Sequence, residues 1–154
     1  MGVSGSGKTT VGAALAVALG LGFVDADDLH PAANIDKMTA GIPLTDADRW
    51  PWLDAVGAVL ARADTVVACS ALRRAYRDRL RAAAPDFALV YLHADRELLA
   101  RRMHRPGHFM PTSLLDSQLA TLEPPTLDER PLSFDVAEPV EDIVTAAAAL
   151  LGDR

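Results

Sequence analysis

The sequence holds a single cysteine, Cys69, in 154 residues. That excludes an internal disulfide framework and any zinc cluster built on thiolates, and it fits a reducing compartment. No stretch reaches the roughly 18 uninterrupted apolar residues that a membrane span requires. The amino terminus opens on a Gly-rich turn, without the apolar core of a signal peptide. A cytoplasmic location with no membrane partner is therefore expected. Internal repeats, low-complexity tracts and Gly/Ser linkers are also missing, so one domain over residues 1–154 is expected. The net charge of −6 argues against a nucleic-acid partner.

Half of the residues are apolar and 23% are charged, the balance of a folded globular chain. The charge is unevenly spread. Between Arg73 and Arg105 stand nine arginines against four acids, so an anionic ligand would be gripped mainly from this basic third, helped by Lys8, Lys37 and Arg49. Arginines such as Arg79 and Arg81 also read as ordinary solvated helix positions. Short apolar, β-branched runs alternate with helical patterns, which implies an α/β fold with a mainly parallel sheet. Helices are expected at Thr9 to Leu19, around Leu53 to Leu60, from about Leu72 to Ala84, from Asp95 to about His104, from about Leu114 to Leu122, and after Pro139. Strands are expected at Gly22 to Asp25, Thr65 to Cys69, Phe87 to Leu92 and Ser133 to Val136.

The segment "GVSGSGKT" satisfies the Walker A pattern in full, and a helix follows where the pattern needs one. Successive backbone N–H groups of such a loop, with the helix amino terminus behind them, form a concave donor surface for phosphate. Gly2, Val3, Ser4, Gly5, Ser6, Gly7, Lys8, Thr9 and Thr10 are the expected ATP-binding residues. Lys8 would reach the β- and γ-phosphates, and the Thr9 hydroxyl would bind Mg²⁺. The pattern predicts a P-loop α/β/α sandwich of three layers. One element is out of place: the motif should follow a buried β-strand, and only Met1 precedes it. The central strand of the sheet is thus expected to be missing from the sequence as given.

After the loop, "VDADDLHP" places Asp25 and Asp27 at a strand end with one residue between them. Residues two apart in a strand point the same way, so both carboxylates can face the γ-phosphate if the extended geometry persists. Asp27 is then the favoured base for an attacking hydroxyl, and Asp25 the acid on the metal side. The competing interpretation is that the pair caps the following helix. Shikimate kinases resemble this chain in the same Asp-x-Asp arrangement behind a Walker loop, which implies phosphorylation of a small alcohol.

A further series of segments occurs in order: "DDLHP", "NIDKM", "GIPLTDADRWPWL", "CSALRRAYRD", "GHF" and "SQLATLEPP". Together they resemble the gluconokinases over nearly the whole chain, with Arg73 and Arg74 standing where those enzymes carry lysine. In that family, residues upstream of a similar "MGVSGSGK" supply the first strand, which implies that an internal methionine has been taken as the start. The resemblance implies ATP- and Mg²⁺-dependent phosphorylation of D-gluconate. It leaves open another small hydroxy acid such as shikimate, or a nucleotide-binding module with impaired catalysis. A sugar acid needs a cationic grip well away from the phosphate loop, and Arg49 and Arg73 are the candidates. His30 and Lys37 are candidates for its hydroxyls, alongside Asp27. The segment from about residue 101 to 112 resembles the family's helical lid, with Pro106 and Gly107 as a hinge, and Arg102 or Arg105 would swing toward the transferring phosphoryl group. The resemblance also implies a homodimer. Trp50 and Trp52 are read as core, with one of them a possible wall of the sugar site, and Cys69 as a small buried side chain.

Overall fold

This computed structural model describes residues 1–62, 64–103 and 112–152, with the backbone alone at 112 and 113. Helix α1 (Lys8–Leu19) starts directly behind the Gly-rich loop and stops at Gly20, where the Leu21 N–H closes on Ala16 O at 2.9 Å. Strand β1 (Gly22–Asp25) follows and runs parallel to β2 (Thr65–Ala68), in register from Gly22 opposite Thr65 to Asp25 opposite Ala68. A second parallel pair joins β3 (Val90–His93) to β4 (Leu132–Asp135). Every described ladder is parallel, as the alternating pattern implies.

Helices cover both faces of these strands. Helices α3 (Asp46–Leu60) and α4 (Arg74–Ala83) share a core in which Trp52, Leu53, Val56, Tyr76 and Leu80 pack with Ala26 and Cys69, and Val67 adds to it from β2. On the other face α1 meets α7 (Val140–Gly152), with Val11, Leu92, Val136 and Ile143 buried together. Helices α5 (Arg96–Met103) and α6 (Thr112–Thr121) close a third cluster of Leu99, Met103 and Leu115 against Val3 and Leu72. That cluster ties the phosphate loop to the segment on either side of residues 104–111. Among the described residues no helix is long and apolar enough to cross a membrane.

The strand boundaries differ from the sequence pattern mainly at β3, which starts at Val90 rather than Phe87, because Phe87 packs against the α3–α4 core ahead of the ladder. Helix α2 (Ala32–Thr39) is not announced by the pattern. It is short and buries only Asn34, so no apolar stripe marks it. Helix α3 begins two turns ahead of its apolar stripe because Thr45 and Asp48 form a reciprocal capping box. Pro51 sits in its second turn and removes the bond that residue would make to Ala47 O.

No ladder joins β2 to β3 among the described residues. Between them lies a cavity of about 410 Å³ lined by Val11 and Leu15 of α1, Val66 and Ala68 of β2, Leu89 and Val90. This gap stands where the Walker pattern calls for a central strand. Met1 and Gly2 bridge it: Leu92 N–H donates to Met1 O at 2.9 Å, and Gly2 N–H to Ser70 O at 3.4 Å.

Beside the gap, Arg77 and Glu129 form a buried ion pair, 1% and 2% exposed, with two parallel bonds of 2.6 and 2.9 Å. Arg77 Nη1 also donates to Ala71 O and Leu72 O. It thereby pins the turn after β2, where Ala71 takes a left-handed φ of 43°. Removing Arg77 leaves a carboxylate buried without its main partner. Arg77→Ala is expected to destabilise the fold by about 3–5 kcal/mol in urea unfolding monitored by circular dichroism, whereas an exposed pair such as Arg79–Asp54 should contribute no more than about 1 kcal/mol.

Candidate active site

The loop's glycines are dictated by close approach. A Cβ on Gly2 would lie 2.5 Å from Leu92 O and 2.7 Å from Ser6 Oγ, at a φ of 153° that side chains rarely adopt. Gly7 has a φ of 79°, and among the described residues a Cβ there would meet only the Arg102 guanidinium, at 3.9 Å, which leaves the approach to the loop's N–H groups open. The Ser6 hydroxyl in the same loop is fully buried, and no protein partner is described for it. Lys8 Nζ folds back on Val3 O at 3.1 Å. Burial lowers the pKa of this ammonium, and the nearby Asp27 opposes that shift. A cradle of N–H donors with a lysine folded back on it fits a polyphosphate.

Strand β1 delivers Asp25 to this loop. Its Oδ2 accepts the Thr9 hydroxyl at 2.8 Å, and its Oδ1 accepts Asp27 N–H at 3.1 Å. Asp25 is thus the cap of the next turn and at the same time the neighbour of Thr9. The extended geometry does not persist through Asp27: the chain turns at Ala26 into a 3₁₀ helix, Ala26–Leu29. A turn of the backbone therefore sets the direction of Asp27, not the alternation of a strand. Asp27 is exposed, and its charge acts on both Lys8 and His30. No group of three or more His, Cys, Asp or Glu that could hold a metal occurs among the described residues. A cation beside Thr9 and Asp25 would complete its shell with phosphate oxygens and water, which suits Mg²⁺.

A second cluster lies on the far side of Asp27. His30 stacks on Trp52, with centroids 4.4 Å apart and planes within 10°, while Trp52 Nε1 donates to Ala26 O at 2.6 Å. Trp52 is core and holds the turn that carries Asp27. Asn34, 4% exposed, donates its two amide hydrogens to Asp48 O at 2.9 Å and to His30 Nδ1 at 3.2 Å. With both hydrogens used, Nδ1 accepts and the neutral ring carries its proton on Nε2. Burial lowers the His30 pKa, and Asp27 only partly opposes it. Lys37 pairs with Asp48 at 2.7 Å, and this bond, with those from Thr45, draws the Asp48 carboxyl down to about 2.

Arg49 and Arg73 come from different elements, α3 and the residue capping α4, and converge on Asp46. Arg73 Nη1 lies 3.2 Å from Asp46 Oδ2 and Arg49 Nη1 3.9 Å from Oδ1. Tyr76 donates its hydroxyl to Asp46 Oδ1 at 2.5 Å. Trp50 packs edge-on against Tyr76 and carries Arg79 over its own ring. Burial lifts the Cys69 thiol to about 11, in keeping with a packing role.

Of the arginines expected near the lid, Arg102 reaches the site. Its Nη2 donates to Val136 O at 2.6 Å, and its Nη1 lies by Gly7. Arg101 instead faces Glu97 at 3.8 Å, well exposed. Arg105, the Pro106–Gly107 hinge and most of the expected lid lie outside the described residues. Thr10 is exposed in the first turn of α1. Asp46, Tyr76, Asn34 and Gln118 are site residues that sequence reasoning missed. Gln118 Oε1 accepts the Ser4 N–H of the phosphate loop at 2.6 Å. The only signal for them was membership of the quoted segments, since nothing in spacing alone marks an acid as the partner of two distant arginines.

Comparison with known proteins extends this geometry. A family model described as an AAA domain matches residues 1–125. A probable gluconokinase of Xenopus tropicalis is 46% identical, over 94% of this chain and 87% of its own length. The thermosensitive gluconokinase of Escherichia coli (strain K12) is 45% identical over 100% of this chain and 88% of its own. The crystal structure of a gluconokinase from Sinorhizobium meliloti 1021 superposes with a TM-score of 0.91 at 55% identity, covering 99% of this chain and 89% of that one. Likeness at this level runs from the phosphate loop through the Asp46 cluster to the last helix, and this chain belongs to the gluconokinase family of P-loop kinases.

Proposed function

We propose that this enzyme transfers the γ-phosphoryl group of ATP to the primary hydroxyl of D-gluconate, forming 6-phospho-D-gluconate and ADP. The observation that carries this reading is the convergence of Arg49 and Arg73 on a carboxylate, beside an acid whose charge acts on the phosphate-loop lysine. A linear sugar acid has a carboxylate at one end and the reacting alcohol at the other. The two guanidiniums suit the first, and Asp27 suits the second. In this reading His30 Nε2–H and Lys37 meet the hydroxyls between them, Lys37 through an ammonium already shared with Asp48.

In this reading Asp27 accepts the proton of the attacking hydroxyl. Lys8 and Arg102 offset the charge on the transferring group and the leaving phosphate. Thr9 and Asp25 would hold Mg²⁺, which when bound would supply further neutralisation of phosphate oxygens. The turn from Asp135 to Pro139, which already fixes Arg102 through Val136 O, is the candidate wall for adenine. A cytoplasmic setting and a homodimeric state belong to this reading as well.

A coupled assay over a panel of sugar acids and shikimate should give D-gluconate the highest kcat/KM. Preference for shikimate, or no turnover of any acid, would overturn the assignment. Asp27→Asn is expected to lower kcat by about 10²–10⁴ with little change in either KM. Arg102→Ala should lower kcat by about 10²–10³; an effect confined to the KM for ATP would leave Arg102 a binding residue only.

A further inference from the structure

Asp46 is an unexpected member of a site meant to attract an anion. It is not needed to cap α3, because Thr45 and Asp48 form the capping box there. Its carboxylate instead accepts Tyr76 OH on one oxygen and Arg73 on the other, with Arg49 beside it. Tyr76 is 4% exposed and locked into the α3–α4 core. Both guanidiniums flank its ring, with Arg49 Cζ 5.8 Å and Arg73 Cζ 5.9 Å from the centroid. Burial and the bond to Asp46 raise the tyrosine's pKa, so it stays a proton donor throughout the neutral range.

Two guanidiniums that flank one ring and face one carboxylate repel each other, and their long side chains carry substantial rotamer freedom. A single acid between them offsets the repulsion and leaves the trio with one positive charge, enough to take one more anion. Each guanidinium has five N–H donors in a rigid plane. Arg73 spends Nη1 on Asp46, and Arg49 spends Nη1 on Leu44 O at 2.6 Å with Asp46 3.9 Å away, so further donors remain on each for an incoming carboxylate.

We propose that Asp46, anchored by Tyr76, is a positioning residue that braces Arg49 and Arg73 as a preformed receptor for the substrate's carboxylate. This rests on the gluconate reading above. The opposite role, an internal acid that competes with the substrate for the same arginines, predicts the opposite sign and is thereby separable.

The test is steady-state kinetics of the wild type, Asp46→Asn and Tyr76→Phe with D-gluconate and ATP, alongside thermal melts. The brace predicts a KM for gluconate raised about five- to tenfold in Asp46→Asn and about two- to threefold in Tyr76→Phe, with the effect on KM rather than kcat and the KM for ATP unmoved. A gluconate KM that is unchanged overturns the brace, and one that falls assigns Asp46 the competing role. Parallel losses in kcat, both KM values and melting temperature reduce Asp46 to a structural acid. Should Asp46→Asn fail to fold, Tyr76→Phe carries the same test, because it removes only the anchoring hydroxyl. A wild type that does not phosphorylate gluconate removes the underlying reading itself. Turnover by the wild type with an unmoved KM in both variants removes only the brace.

Discussion

Residue 2 has no room for a side chain, and much of the molecule is arranged around that restriction. The Gly2 backbone passes within contact of the Leu92 carbonyl, bonds to Ser70 O and begins the phosphate loop. It therefore locates the loop relative to both strand pairs at once, although no ladder connects them among the described residues. Any side chain there would push the loop off β3 and tilt the amino terminus of α1, which aims its N–H groups and its dipole at the phosphate position. Val3 then buries against Leu72, Leu99 and Leu115, so the same short segment anchors α5 and α6, which flank the expected lid.

Charge compensation organises the rest. The chain is acidic overall, yet its cations at the site are individually partnered: Lys8 with a backbone carbonyl, Lys37 with Asp48, Arg49 with Leu44 O, Arg73 with Asp46, and Arg102 with Val136 O. Each partner holds a flexible side chain near its working position before a ligand arrives, which lowers the entropy lost on binding. The deepest pair, Arg77–Glu129, works one layer back. It fixes the carbonyls of Ala71 and Leu72, and through that turn the start of α4, where Arg73 and Tyr76 are mounted.

The Walker loop, the parallel ladders and most helix positions were legible because they depend on local rules: glycine at tight approaches, apolar spacing, proline and glycine at helix ends. The acid pair was legible in type, while its geometry hung on a condition that the folded chain does not meet. Two residues of spacing imply a common direction only while a strand continues, and Asp25 ends the strand by capping the turn with its own side chain. Helix α2 was missed because it buries a single polar residue. Asn34 uses that burial to set the tautomer of His30, a role with no trace in hydrophobic periodicity.

Identity and order of residues were therefore sufficient for the fold class, the phosphate site and the pool of candidate cations, since each of these follows from contacts within a few positions of the chain. Which cations meet, and around what, depended on packing between distant segments. Arg49 and Arg73 are 24 positions apart and share Asp46 only because α3 and α4 lie side by side over Tyr76. Arg102, rather than Arg101, reaches the loop because α5 turns that face toward Gly7 and Val136. Long-range juxtaposition of this kind is a property of the buried core, and no local pattern encodes it.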